Sequence, residues 1–439
     1  MATLFTDAAS GSDNNGGTSA GAAKATGTAA VTNGTTLVQL DAGSNLSTVV
    51  PGDYIRIASR TDGIRSTNIY NIVSVNDGLD QVTLTQSPGG ASGQSWSIGG
   101  AWQTLSKAAL VVQASTGDKV WVKASASYLE TLTMSVNALQ NTPIVFEGYT
   151  TSTGDGGKAT IDGESTRTNG INDSLSAGTN RYYVFQNLII TNHDGIGCNT
   201  DGNHITWKNC EFTNNAGVGL NGKGSLVQGC VFSGASSTGC VIQSGGGPAV
   251  FVGCRAFNNV FDGISTWSSS ASTVMFACEF FGNDDNAINC AASNDTSTAI
   301  INCTIDGNDQ DTANGINISV AFRQYVCVVN TIVYDCFNGI SSANDGVGII
   351  SVNNLVNANI TPYGSFSTTS GEVTGAPDFA DEANNDYRLN ASSPANDAGY
   401  DRGLALGQST GMDIGAFQRV VTAGASATKA KHILSGGAL

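Results

Sequence analysis

Asn283-Asp284-Asp285 sets two carboxylates side by side, with Glu279 four residues upstream. Paired carboxylates are what glycoside cleavage uses as acid, base and nucleophile, so Asp284, Asp285 and Glu279 are the weak catalytic candidates of this chain. Asp284 and Asp285, however, occupy the place held by Asn215-Ala216, Asn259-Val260 and Asn308-Asp309 in neighbouring stretches, and Asn, Asp and Gly are turn formers. A turn role is the simpler one. The three histidines, His193, His204 and His432, are scattered, and His193 and His204 read as solvated turn residues. Trp207 and Trp267 could stack on sugars, although a packed or partly exposed aromatic is the plainer role for both. Lyase chemistry would need Lys or Arg beside carboxylate-bound Ca²⁺, yet the repeats offer only Lys208, Lys223, Arg255 and Arg323. Ca²⁺ at the Asp-rich turns 283–285 and 306–311 stays open, without EF-hand order, and no other cofactor is expected.

The ten cysteines show how these residues must be positioned. KNCEF, QGCVF, VGCRAF, FACEF and INCTI align Cys210, Cys230, Cys254, Cys278 and Cys303 at steps of 20, 24, 24 and 25 residues. A second column, Gly195, Gly217, Gly239, Gly263, Ala287, Gly315 and Gly339, advances by 22, 22, 24, 24, 28 and 24. Columns that move together at such periods mark a solenoid, and the short alternating runs between Asn/Gly turns make its coils β-strands. In Cys210-Glu211-Phe212 alternation turns Cys and Phe inward and Glu outward, so the five cysteines form an interior ladder and Glu211, Val231, Arg255, Glu279 and Thr304 an outer column. Glu211 and Glu279 then stand three coils, roughly 14 Å, apart, too far for a glycosidase pair. No C-x-x-C occurs, which argues against zinc. Coil spacing would allow disulfides, but packed thiols fit a ladder of five in a chain without an export leader.

The organisation follows. Residues 1–23 supply a first strand and loop. Residues 24–98 change texture to TTLVQLD, DYIRIAS, NIYNIVSVND and QVTLTQ, an inserted small antiparallel β-domain. In residues 99–118, Trp102, Leu105, Ala109 and Val112 at helical spacing predict a capping helix over 102–114. About ten coils span 119–362, residues 363–418 form C-terminal coils and a cap, and residues 419–439 form an arm without a core pattern.

Charge excludes some functions. A formal charge of −16 repels nucleic-acid phosphates, and no run of 18 apolar residues is available to span a membrane. The start MATLFTDAASGSDNNGG lacks an apolar leader, so synthesis in a cytoplasm without export is expected.

FADEANNDYRLNASSPANDAG with GMDIGAFQ, and TDAASGSDNNGGTS with WQTLSKA, resemble the closing and opening phrases of right-handed parallel β-helix proteins of the pectate-lyase-like superfamily. The resemblance covers residues 1–23 and 100–418. It implies an all-β, single-stranded parallel β-helix and raises an enzyme expectation, since relatives include pectate lyases, polygalacturonases and phage tailspike depolymerases. Asp284-Asp285 look like the paired aspartates of polygalacturonases, but the accompanying Asn-Thr-Asp, His-Gly and Arg-Ile-Lys motifs are missing from this sequence. The fold's use in phages implies a non-enzymatic virion protein, an outer capsid decoration or a head or tail appendage. Its expected partners are other virion proteins and itself, as a homotrimer, with a surface glycan as a further partner. A tailspike-type polysaccharide depolymerase and a bacterial surface adhesin are the alternatives.

Overall fold

The computed structural model describes residues 2–432 apart from 59, 61, 65–66, 174–179, 244–246, 268–271, 292–296, 308–312, 319–324, 343–347, 365–368, 400–411 and 420–429. The chain divides into two units, built mainly from residues 1–162 and 190–439.

In the first unit, Thr3–Asp7 lies parallel to Lys119–Lys123 with Phe5 opposite Trp121, and Ile144–Tyr149 and then Tyr183–Gln186 continue the sheet. The chain therefore leaves the solenoid after one strand and returns more than a hundred residues later. The excursion is the expected antiparallel insertion, and its strands, from Ala25–Asn33 to Gly90–Ile98, close into a barrel. Gly90–Ile98 pairs with both Ala25–Asn33 and Tyr54–Ile57, which removes the free edges a small sheet would expose. Val38, Ile55, Ile72, Val82 and Trp96 fill its centre.

The helix is shorter than the apolar spacing predicts, Leu105–Val111, although Trp102, Leu105, Ala109 and Val112 are all buried. Capping sets its start. The Thr104 hydroxyl accepts the Lys107 amide, and the Glu130 carboxylate accepts the Leu105 and Ser106 amides at 2.6 and 2.9 Å. It packs on Thr3–Asp7 and Leu132–Met134, the strands that open the solenoid.

In the second unit each coil contributes three strands, one to each of three faces. Thr273–Phe276 lies on the first face, Glu279–Phe281 on the second and Asn286–Cys290 on the third, and the next coil repeats the set with Ser297–Ile301, Thr304–Asp306 and Asn314–Ile318. All neighbours within a face are parallel and in register. Phe212 and Phe232 stack at 5.3 Å inside, with Trp207 edge-on to Phe212.

The corner between the first and second faces explains the recurring words. Asn209, Gly229, Gly253, Ala277 and Asn302, each just before a ladder cysteine, all have φ between 51° and 61°. That left-handed corner is why the sequence writes Asn or Gly there, with Ala277 the exception that carries a side-chain penalty. Cys210, Cys230, Cys254, Cys278 and Cys303 are fully buried within the corner, each Sγ 3.4–3.6 Å from the carbonyl oxygen two residues earlier. None is in a disulfide. Thr331 and Asn354 continue the ladder, the Thr331 hydroxyl accepting the Cys303 amide and Asn354 Oδ1 the Thr331 amide.

The glycine column differs by two residues at its start. Gly197 and Gly219, rather than Gly195 and Gly217, align with Gly239 and Gly263, because Cys198, Leu220, Cys240 and Ile264 are register partners. The 20-residue step from Gly219 to Gly239 then equals the step from Cys210 to Cys230. A Cβ at Gly239 would lie 2.7 Å from the Gly263 carbonyl oxygen, so the close approach of coils selects glycine.

Burial pushes the Cys230, Cys254 and Cys278 thiols well above their usual range and raises Cys290 to about 12, which suppresses the reactive thiolate. The nine fully buried cysteines are therefore expected to stay silent to Ellman's reagent in the native chain. All ten should react in guanidinium.

Candidate functional site

The third face carries the densest array of outward polar side chains. Where a strand turns its apolar residue inward, as Ile288, Ile316 and Ile340 do, the next residue points out, giving Asn289, Asn317 and Ser341. A second column begins each of these strands with Asn286, Asn314 and Asn338, of which Asn286 is buried and the other two are half-buried. The amides hydrogen-bond from coil to coil: Asn338 Nδ2 donates to Asn314 Oδ1 at 2.7 Å, Asn314 to Asn286 at 2.8 Å and Asn286 to Asp262 Oδ1 at 2.6 Å. Asn289 donates to the other Asp262 oxygen at 3.0 Å. An ionised carboxylate only accepts, so Asp262 fixes the direction of the whole ladder.

Aromatic residues border this polar strip. Phe261 and Trp267, at the two ends of Ile264–Thr266, are 50% and 64% exposed, and Phe337, just before Asn338, is also exposed. The expectation that Trp207 packs holds, since it is fully buried. Trp267 is instead the exposed one of the pair.

Asp284 and Asp285 lie in the turn that enters this face, and both are exposed. Partial burial and the charge of Asp262 raise the Asp285 pKa. The sequence motif therefore belongs beside Asp262, a residue the sequence reading passed over. The signal was available, because Asp262 is in the column of Asn286 and Asn314.

Glu279 is elsewhere, on the second face, and it does not face solvent. It is 3% exposed, and Thr304 beside it is buried. Residues 379–398 and 412–417 lie over this part of the face. Phe379, Tyr387, Ala395 and Ile414 cluster with Phe281, Ile332 and Leu355, and the Ala416 amide donates to the Thr304 hydroxyl at 2.9 Å. The outer column had been read outward as far as Thr304, and the residues that continue it by register, Ile332 and Leu355, are apolar and need this cover. Arg255 Nε lies 3.3 Å from Glu279, and its guanidinium sits over the Phe257 and Phe281 rings at 5.4 and 5.1 Å. The sequence candidates are thus divided between two faces, and Glu279 serves the packing of the second.

Under the same cover, Asp306, Asp335 and Glu382 offer carboxylate oxygens within 4.8 Å of one another, a spacing that could hold a divalent cation. Burial and the charges of Asp306 and Asp335 raise the Glu382 pKa. Asp306 closes a strand rather than opening a turn, and residues 308–311 of the Asp-rich segment lie outside the described residues. His193, expected in solvent, is 1% exposed, with Nδ1 3.0 Å from Asn215 Oδ1 in the second corner of the coil. His204 is exposed, and the His432 side chain lies outside the described residues.

Comparison with known proteins agrees with the architecture. Residues 124–280 match the family described as right handed beta helix region. Among solved structures, the pectate lyase Pel9A is 18% identical with a TM-score of 0.51, covering 73% of this chain and 92% of its own. An alginate lyase from Paenibacillus sp. str. FPU-7 is 13% identical with a TM-score of 0.43, covering 62% and 97%. ORF18 of Geobacillus virus E2 is 12% identical with a TM-score of 0.33, covering 59% and 54%. None of the curated protein sequences matches the chain. At these identities the likeness concerns the fold.

The raised pKa of Asp285 has a consequence for stability. The folded state binds the Asp285 proton more tightly than the unfolded state, so stability falls as pH rises above the ordinary carboxylate value of about 3.9. Asp285→Asn should accordingly raise the melting temperature at pH 7. The gain should vanish in melts below about pH 4.

Proposed function

We propose that this chain, a right-handed parallel β-helix protein of the pectate-lyase-like kind, is a structural component of a phage virion that displays a glycan-binding face. It would be an outer capsid decoration or a head or tail appendage. The observation that carries the reading is the third face, where half-buried Asn289, Asn314 and Asn338, tied by hydrogen bonds to buried Asn286 and Asp262, run with half-buried Asn317 beside exposed Phe261, Trp267 and Phe337.

Sugar rings present hydroxyls at their edges and apolar C–H faces, and such a strip answers both. Asn offers donor and acceptor together, and aromatic rings offer flat apolar contact. The surface is rich in amides and acidic at the exposed Asp284 and Asp285, so the ligand class it fits is an uncharged polysaccharide. A parallel solenoid suits a surface role. Its backbone hydrogen bonds run from coil to coil, and its amides cannot slip register without losing the ladder.

A depolymerase is the second reading. Asp285, with its raised pKa beside Asp262, supplies a carboxyl group suited to hold a proton next to one that is hydrogen-bonded by two amides.

Electron microscopy of the native assembly tests the virion role. Regular copies on a capsid or tail are expected, and a chain found only free of particles would overturn it. For the face, Trp267→Ala should weaken binding to an uncharged polysaccharide about ten-fold, or ~1.4 kcal/mol. Unchanged binding would remove the glycan assignment. Polysaccharide shortening that is lost in Asp285→Asn would select the depolymerase instead.

A further inference from the structure

The first face of the second unit has an unusual exterior. Parallel strands with both faces buried read as nearly continuous apolar runs, and here the strands read AVFV, TVMF, STAII, YVCVV and IISV. Their inner residues, such as Phe251, Met275, Ile300 and Val328, fill the solenoid. Their outer residues are apolar too.

Leu226, Val250, Val274, Ala299, Cys327 and Ile350 form one outer column, each the register partner of the next. Two residues along, Val252, Phe276, Ile301, Val329 and Val352 form another. All are half-buried or exposed, with Leu226 at 39% and Ile350 at 48%, and Tyr325 at the margin is 61% exposed. A shallow recess of about 190 Å³ lies over four of these coils, between Val274, Ala299, Cys327 and Ile350. The strip starts beside Lys208 and Gln228, and no Asp, Glu, Lys or Arg stands in either column from Leu226 to Val352.

We infer that this face is an interface with a second copy of the same chain. Three arguments select that occupant. First, copies with a net charge of −16 repel one another, and this strip is a place where they can approach without burying a charge. Second, a charged partner would have to strip water from its own charges against apolar side chains, whereas an identical strip would not. Third, the area suffices. Six coils at about 4.8 Å by about five residues at 3.3 Å give roughly 475 Å² per face, so two faces bring together about 950 Å², near the threshold for a specific interface. Flat sheets of identical spacing can interdigitate their side chains face to face.

The test uses the full chain. Light scattering during gel filtration at micromolar concentration should return a multiple of 44.8 kDa. Val274→Lys with Ile350→Lys, both on the outer surface, should return the single-chain mass while keeping the wild-type circular dichroism. Cys327 provides a second readout, because its thiol lies within the strip and should be alkylated several-fold more slowly in the assembly than after dilution. A wild-type chain that stays at 44.8 kDa, or a folded double variant that keeps the assembled mass, overturns the inference. If the double variant unfolds, the unmodified chain decides, and alkylation of Cys327 that does not change on dilution overturns it.

Discussion

Coil-to-coil hydrogen bonding is the constraint on which the rest of this molecule depends. In a parallel solenoid no strand can satisfy its own backbone, so each coil must present its amides and carbonyls to the next in register. Register must survive three corners per coil, and the corners are where the sequence is least free. Left-handed residues at 209, 229, 253, 277 and 302 redirect the chain by the same angle in successive coils. A buried Cys then follows each of them, small enough to sit inside the bend and soft enough to contact a carbonyl at 3.4–3.6 Å. The second corner uses amides for the same end. Asn215, Asn259 and Asn359 accept the amides of His193, Ala235 and Cys336 from the preceding coil, and Asn259 donates to Asn283 at 2.9 Å.

That dependence explains what could be read from the residues alone. The corners repeat because their backbone geometry repeats, so the cysteine column, the solenoid, the inserted antiparallel strands and the helix were all legible. The two-residue slip at Gly195 and Gly217 arose where Gly-x-Gly gave two candidates, and strand pairing chose the second. Side chains facing outward were harder to read. A Glu on an outer column looks solvated until something covers it, and the cover over Glu279 comes from residues 379–398 and 412–417, a hundred positions and more away. The apolar character of Ile332 and Leu355 in the same column was the only local trace of that cover.

The candidate site was half legible for the same reason. Asp284-Asp285 stood out as a motif, yet the carboxylate that organises the face is Asp262, whose importance lies in what stacks on it. Asn286, Asn314 and Asn338 are ordinary turn-type residues in isolation. Only register makes them a ladder. Exposure decided the roles of the two tryptophans, and no sequence spacing separates a Trp packed on Phe212 from one at the end of a short strand.

The three outer faces of the second unit therefore differ although their inner surfaces are alike. The interior asks only for volume, met by Cys, Phe, Ile and Val in each coil. Outside, the first face is apolar, the second is charged and then covered, and the third is amide-rich with aromatic borders. A scaffold needing only solubility would spread charge over all three. Here Lys208 and Gln228 give way to Val252 and Phe276 on the first face, while Asp262 is continued by three asparagines on the third. Each column keeps one chemical character over several coils, and that persistence separates a surface shaped for an extended partner from one merely tolerated by solvent. An apolar strip and a polar strip on different faces of one solenoid can be occupied together, so the proposed self-association need not obstruct the proposed glycan contact.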